Sequence, residues 1–237
     1  MEISVEKVSK VYDKKERTLN CYAVAEGKED FDLSQLIGKP ISVAFSELPA
    51  RKSEELNISP KQESTSDLFV LYAADIGGLY LGLASESNWQ SQAISEGASS
   101  ACLVVKSDDI AALEKVFEEF KGRKTPKLIN YLNKTSPAYD YAASNKNIFS
   151  EVETLAEGTS LETVIPKQIK FKTRTPWQRY PHNKIKAKAL TCIDFVYFGL
   201  VGNYILSNKG IMHLSFLNGA TISYDEELED EYTNLLE

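Results

Sequence analysis

A run of basic side chains between residues 167 and 188 is the part of the sequence with the clearest chemical direction. The whole chain is acidic, with a formal net charge of −7, yet this run contains no Asp or Glu. Such a local reversal of charge favours phosphate groups or other anions as partners. Its basic residues are Lys167, Lys170, Lys172, Arg174, Arg179, Lys184, Lys186 and Lys188.

The spacing of these residues predicts one positively charged sheet face. Residues two apart lie on the same face of a β-strand, and we predict strands over 167–174 and 184–198. If the two strands pair, six cations gather on one side of the sheet, where like charges destabilise one another unless an anion binds. These cations are Lys170, Lys172 and Arg174 on the first strand and Lys184, Lys186 and Lys188 on the second.

The loop between the two predicted strands adds aromatic side chains, which can stack on nucleic-acid bases. The sequence therefore predicts a non-enzymatic binding protein, without a cofactor, that contacts nucleic acid or another polyanion. The predicted contact residues are Lys170, Lys172, Arg174, Trp177, Arg179, Tyr180, Lys184, Lys186 and Lys188.

Alternative interpretations of the basic run stay open. Lysines are ordinary on the solvated face of an antiparallel sheet, and they protect an edge strand from aggregation. The acidic run 225–231 can fold back and neutralise the lysines, and Trp177 can be a packed corner between strands. The alternative function is therefore a structural or assembly role, or binding to a protein partner or to a second copy of the chain.

Asp194 is the one carboxylate that indicates a hidden catalytic site. It lies in an apolar run, where a carboxylate either has a partner or has a raised pKa. An enzyme with a non-local site around Asp194 is the third hypothesis. No local metal-binding or phosphate-loop motif supports it: the two histidines and three cysteines are scattered, and the chain has no GxxxxGK[ST] or GxGxxG pattern.

The hydrophobic pattern predicts an α+β fold that is rich in antiparallel strand and that would position these residues. Residues 1–50 are predicted to form a small β-rich unit, 51–66 a linker or long loop, and 67–237 an α+β domain. This domain is predicted to have a helical middle near 108–158 and a C-terminal antiparallel sheet. We find no internal repeat in the sequence.

Two segments that contain glycine predict turns of different kinds. Residues 31–40 predict one helical turn, which Gly38 ends and Pro40 keeps from continuing. Asn218-Gly219 lies between predicted strands at 211–217 and 220–224. This pair predicts a β-hairpin, because both residues accept a positive φ.

The N-terminus and the cysteines indicate a cytoplasmic protein without a membrane partner. The opening MEISVEKVSK lacks the apolar stretch of a signal peptide, and no apolar run approaches the roughly 20 residues that span a bilayer. Cys21, Cys102 and Cys192 form no CxxC pair, so we expect three reduced thiols that are mostly buried.

Residues 30–45, DFDLSQLIGKPISVAF, resemble the opening of phage-tail hub and type VI spike (VgrG-like) proteins. In those proteins a β-rich start leads to an acidic residue followed by Leu-x-x-Leu-Leu-Gly-Lys-Pro, and then to a strand. The Arg-x-Phe-x-Gly type of strand that follows in that family is absent here. The resemblance implies an assembly role in a phage, secretion or immunity system.

Overall fold

A computed structural model of the chain describes residues 1–46, 68–76, 79–121, 148–157, 159, 161–172, 184–186 and 188–224. Antiparallel strands dominate these residues, as the sequence predicts. The strands are β1 (Glu2–Ser4), β2 (Lys7–Asp13), β3 (Thr18–Val24), β4 (Phe31–Asp32), β5 (Pro40–Phe45), β6 (Phe69–Asp75), β7 (Leu79–Ser85), β8 (Ser100–Ser107), β9 (Ile169–Lys170), β10 (Thr191–Val201), β11 (Tyr204–Ser207), β12 (Gly210–His213) and β13 (Ala220–Tyr224). The helices are α1 (Trp89–Ser95), α2 (Ile110–Lys121) and α3 (Ile148–Glu157), and 3₁₀ turns span Leu33–Leu36 and Leu214–Leu217.

The predicted helical middle is found only in part. Between residues 108 and 158 the described residues form α2 and α3, while 122–147 lie outside the described part of the chain. The predicted linker 51–66 lies outside it as well. Within the described residues, no helix is both long enough and apolar enough to cross a membrane.

The chain divides into two compact units, and the first is built from both ends of the sequence. We call Met1–Ser59 with Thr173–Glu237 the terminal unit and Pro60–Lys172 the inserted unit. These limits differ from those of the predicted domains. Residues 67–237 were predicted to form one domain, so that the last third of the chain would belong with its middle. Strand pairing joins that last third to the first fifty residues, because β10 and β13 both pair with β5.

Two antiparallel sheets enclose the core of the terminal unit. One has six strands in the order β1-β13-β5-β10-β11-β12, and the other has the order β2-β3-β4. Both sheets contribute alternate side chains to one apolar cluster, which includes Ala23, Val43, Leu214 and Ile222. Removal of this apolar surface from water is the dominant favourable term in folding such a unit.

The terminal unit contains an internal repeat that the sequence analysis missed. Residues 32–42, DLSQLIGKPIS, correspond to residues 213–223, HLSFLNGATIS, with Leu, Ser, Leu, Gly, Ile and Ser at the same positions. Each stretch forms a capped 3₁₀ turn and then a strand, β5 in the first repeat and β13 in the second. The matching residues are scattered among differing ones, so the repeat becomes evident only when both turns are seen to have the same geometry.

The two repeats are related by an approximate twofold axis between β5 and β13. Ser42 pairs with Ser223, its equivalent in the other repeat. The amide of Gly38 donates to Tyr197 O at 2.7 Å, and the amide of Gly219 donates to Val5 O at 2.8 Å. The two repeats therefore pair with each other through their strands in the centre of one sheet.

The predicted hairpin at Asn218-Gly219 is wrong. The strand predicted over 211–217 ends at His213, where the second 3₁₀ turn begins. β12 pairs with β11, while β13 pairs with β5 and β1. Gly219 does have a positive φ of 76°, but it uses that conformation to leave the 3₁₀ turn, as Gly38 does at 83°.

The inserted unit is a four-stranded sheet with helices on both faces. Its strand order is β7-β6-β8-β9, and the central strand β6 is almost fully buried. On one face, Leu113 of α2 and Val152 of α3 pack against Leu71. On the other face, the ring of Tyr72 lies 6.0 Å from the ring of Trp89 on α1.

Candidate nucleic-acid interface

Residues 184–186 lie beside β12 of the terminal unit. The amide of Ile185 donates to Ile211 O at 2.8 Å, and Lys184 forms a parallel bridge with Ile211. The side chain of Ile185 packs against the apolar core. Because Ile185 points inward, its neighbours Lys184 and Lys186 point outward, and both are exposed.

Lys188 continues this exposed series, and we call Lys184, Lys186 and Lys188 the lysine edge. The chain is fixed just beyond it, because Thr191 Oγ1 donates to Lys188 O at 2.6 Å. The amide of Leu190 also donates to Phe45 O at 2.9 Å. The lysine edge is therefore anchored to the sheet near both of its ends, which lowers the entropic cost of presenting its charges together.

Lys209 is a further exposed cation of the terminal unit, and it was not among the predicted contact residues. It lies in the turn between β11 and β12, two residues before Ile211, the residue that is opposite Lys184. It also lines a surface cavity together with Asp194 and Ser42. The sequence Asn208-Lys209-Gly210 is typical of a turn, but it contains no information about which strand lies next to that turn.

The predicted six-cation sheet face does not form. β9 pairs with β8, with Lys170 opposite Ser100, in the inserted unit. Residues 184–186 of the lysine edge instead lie in the terminal unit next to β12. Lys170 and Lys172 are exposed, but the segments that contain them and the lysine edge are not paired strands of one sheet.

Several predicted contact residues lie outside the described part of the chain. They are Arg174, Trp177, Arg179 and Tyr180, within residues 173–183. The acidic run 225–231, proposed as a competitor for the lysines, also lies outside it. Their contribution to an interface stays a prediction.

Asp194 is exposed and has a hydrogen-bonding partner, which is one of the two outcomes expected for a carboxylate in an apolar run. Ile193 and Phe195 pack in the core, so Asp194 points to the opposite face of β10. Its Oδ1 accepts a hydrogen bond from Ser42 Oγ at 2.6 Å. The sequence shows an apolar neighbourhood but does not show that the strand alternates between core and surface at this residue.

Asp194 belongs to a symmetric polar row across the outer face of the large sheet. The row runs Glu2, Ser223, Ser42, Asp194 over four neighbouring strands, and it borders a surface cavity of about 710 Å³. The two carboxylates are three strand spacings apart, roughly 14 Å, which is too far to coordinate one ion together. Among the described residues, no group of three or more His, Cys, Asp or Glu side chains could hold a metal ion.

Two of the three cysteines are buried, in agreement with the expectation that they are mostly buried, and the third is exposed. Cys21 and Cys102 are buried, and burial raises the pKa of each thiol to about 11. Such thiols stay protonated and unreactive at neutral pH. Cys192 is exposed, with its Sγ 3.8 Å from Asp194 Oδ1.

Comparison of the chain with protein-family models, with curated proteins and with solved structures found no match. The candidate interface therefore rests on the residues of this chain alone. Within the terminal unit, the lysine edge is the part of the predicted site whose placement the structure describes.

Proposed function

We propose that this chain is a non-enzymatic binding protein that contacts nucleic acid or another polyanion through the lysine edge. One observation carries the proposal: three lysines are exposed on a short segment that Ile185 anchors to the core. Lys209 adds a fourth cation from the neighbouring turn. The proposed contact surface is a narrow strip of the terminal unit and not the broad sheet face that the sequence predicted.

The chemistry expected of such a strip is contact with phosphates and not the reading of bases. Lysine ammonium groups release counterions from a nucleic-acid backbone, so affinity falls steeply with salt and depends little on sequence. The chain's net charge of −7 opposes binding by the rest of its surface. Stacking by Trp177 and Tyr180 would extend the strip toward single strands.

The test replaces the lysine edge and measures salt-dependent binding. We expect Lys184→Gln/Lys186→Gln/Lys188→Gln to weaken binding of a fluorescent single-stranded oligonucleotide. Three lost phosphate contacts should lower the slope of log affinity against log salt by about 2. Fluorescence anisotropy between 50 and 300 mM salt measures both quantities.

A matched control separates this effect from loss of general charge. Lys7→Gln/Lys14→Gln/Lys15→Gln removes the same charge from exposed positions of the β2–β3 hairpin in the same unit. It should leave the salt slope nearly unchanged. If both triple variants reduce the slope equally, or if the natural chain does not bind at 50 mM salt, the proposal fails.

A structural or assembly role is the second candidate, and Leu190 is the observation that favours it. This residue is 87% exposed, although it is large and apolar. It also has a positive φ of 56°, which is uncommon for a bulky residue. A monodisperse oligomer in light scattering that ignores the oligonucleotide would favour this role over polyanion binding.

A further inference from the structure

The two 3₁₀ turns of the terminal unit have equivalent caps with different chemistry. In the first turn, Asp32 Oδ1 accepts a hydrogen bond from the amide of Ser34 at 2.8 Å. In the second turn, Nδ1 of His213 accepts from the amide of Ser215 at 3.2 Å and lies 2.7 Å from Ser215 Oγ. A carboxylate stays ionised between pH 5 and 8, whereas an imidazole changes its protonation in that range.

The His213 cap depends on a neutral imidazole. Nδ1 has a lone pair to accept the Ser215 amide only when its proton is absent. Protonation places a second donor in front of that amide, so the hydrogen bond is lost and a repulsive contact replaces it. The equivalent amide of Ser34 keeps its acceptor under the same conditions.

The surroundings of His213 favour the neutral form. Burial lowers the pKa of His213 below its usual value of 6.5, and the nearby charge of Lys10 lowers this pKa further. Lys10 projects from β2, is 1% exposed and donates from Nζ to Asn203 Oδ1. Tyr204 of β11 presents its ring to the imidazole in an edge-on contact, with ring centroids 5.3 Å apart.

The second turn is also connected to the rest of the terminal unit. Asn218, directly after the turn, accepts the amide of Val8 on its Oδ1 at 2.9 Å. His213 is the last residue of β12, the strand whose Ile211 holds the amide of Ile185. Loosening the turn therefore acts on β2 on one side and on the attachment of the lysine edge on the other.

We propose that His213 makes the second turn an acid-sensitive switch. Protonation of His213 opens this turn and loosens β12 while the first turn, capped by Asp32, stays closed. The cap contributes fully to the stability of the folded state above pH 6.5. Its contribution falls as the pH decreases below that value, since the unfolded state then binds more protons than the folded state. This inference goes beyond the proposed function and does not require that the lysine edge binds anything.

Amide hydrogen exchange in the full chain tests the switch, with the two repeats as mutual controls. We expect the protection factor of the Ser215 amide to fall roughly fivefold between pH 7.5 and pH 5, the typical value of one cap. The protection of the Ser34 amide should stay constant. NMR titration should give a pKa for His213 below 6.5, the usual value.

Substitutions at the two histidines test whether His213 is the residue that makes the second turn sensitive to pH. His213→Asp copies the first cap, and His213→Asn supplies an acceptor that does not titrate, so either variant should make Ser215 protection independent of pH. The sequence contains one other histidine, and His182→Gln should leave the pH dependence intact. The inference is overturned if Ser215 and Ser34 respond equally to pH, or if the response persists in His213→Asn.

Discussion

At the scale of single residues, Gly82 shows how one side chain determines its neighbour. Gly82 pairs with Tyr72 across β6 and β7, and the tyrosine ring occupies the space that a side chain on Gly82 would need. Burial raises the pKa of Tyr72 well above its usual value, and the nearby Tyr80 raises it further. The sequence shows this glycine only as an interruption of an apolar strand, a feature that predicts several different structures.

Gly82→Ala should therefore destabilise the inserted unit. The added methyl group would overlap the Tyr72 ring, and such overpacking costs about 1–3 kcal/mol. Urea unfolding followed by tryptophan fluorescence measures the loss, because Trp89 packs on Tyr72.

A double-mutant cycle identifies the cause of that loss. In a Tyr72→Leu background the ring is gone, so Gly82→Ala should cost much less than it does in the natural chain. An equal cost in both backgrounds would show that the glycine is needed for its backbone and not for the ring.

At the scale of elements, the two 3₁₀ turns show both the strength and the limit of sequence patterns. The first turn was predicted from residues 31–40, because Gly38 and Pro40 match the end of a helical turn. The second turn was interpreted as a hairpin, because Asn-Gly between apolar runs satisfies the same need for positive φ. The same local sequence pattern is compatible with a hairpin and with the end of a 3₁₀ turn. Long-range pairing of strands decides which of the two forms.

Gly219→Ala tests the role of positive φ at the end of the second turn. Nothing lies within 4 Å of an added Cβ, so the cost is that of the backbone alone, about 1 kcal/mol. Gly219→Asn should cost less, because asparagine tolerates this conformation. Urea unfolding of the two variants measures the difference, and equal costs would contradict the backbone explanation.

At the scale of the whole molecule, an entire unit is inserted between two repeats that need each other. The inserted unit follows β5, the strand of the first repeat, and precedes β10 in the sequence. β5 and β10 pair side by side from Phe45 opposite Thr191. The first described residues after the insertion, 184–186, lie beside β12, three strands from β5 in the order of the sheet. A flexible linker that spans this distance could replace the insertion at small entropic cost.

We expect a variant with a Gly/Ser linker in place of residues 60–172 to fold as the terminal unit. Circular dichroism should show strand, and urea should unfold the variant in one cooperative transition. As a control, the same variant without residues 184–224 should not fold cooperatively, because β5 would lose both β10 and β13. If the linker variant itself lacks a cooperative transition, the terminal unit does not fold independently.

The sequence by itself determined most of the helices and strands, because each requires apolar residues at a regular local spacing. Apolar periodicity predicted the β-rich unit at residues 1–50, helix near 108–158 and the strand at 220–224, since backbone geometry fixes which side chains share a face. The run of cations at residues 167–188 was equally evident from the sequence. The sequence also showed no local metal-binding or phosphate-loop motif.

Only the tertiary structure decided which elements meet. A strand's backbone groups pair with any other strand, so the sequence does not specify that β9 joins β8 or that Ile185 lies beside Ile211. This freedom left the strand partners of residues 169–170 and 184–186 unpredicted and hid the repeat. The physical reason is that the spacing of apolar residues, which predicts a helix or a strand, depends only on nearby residues. The pairing of strands depends instead on how the apolar surface of the complete chain is buried.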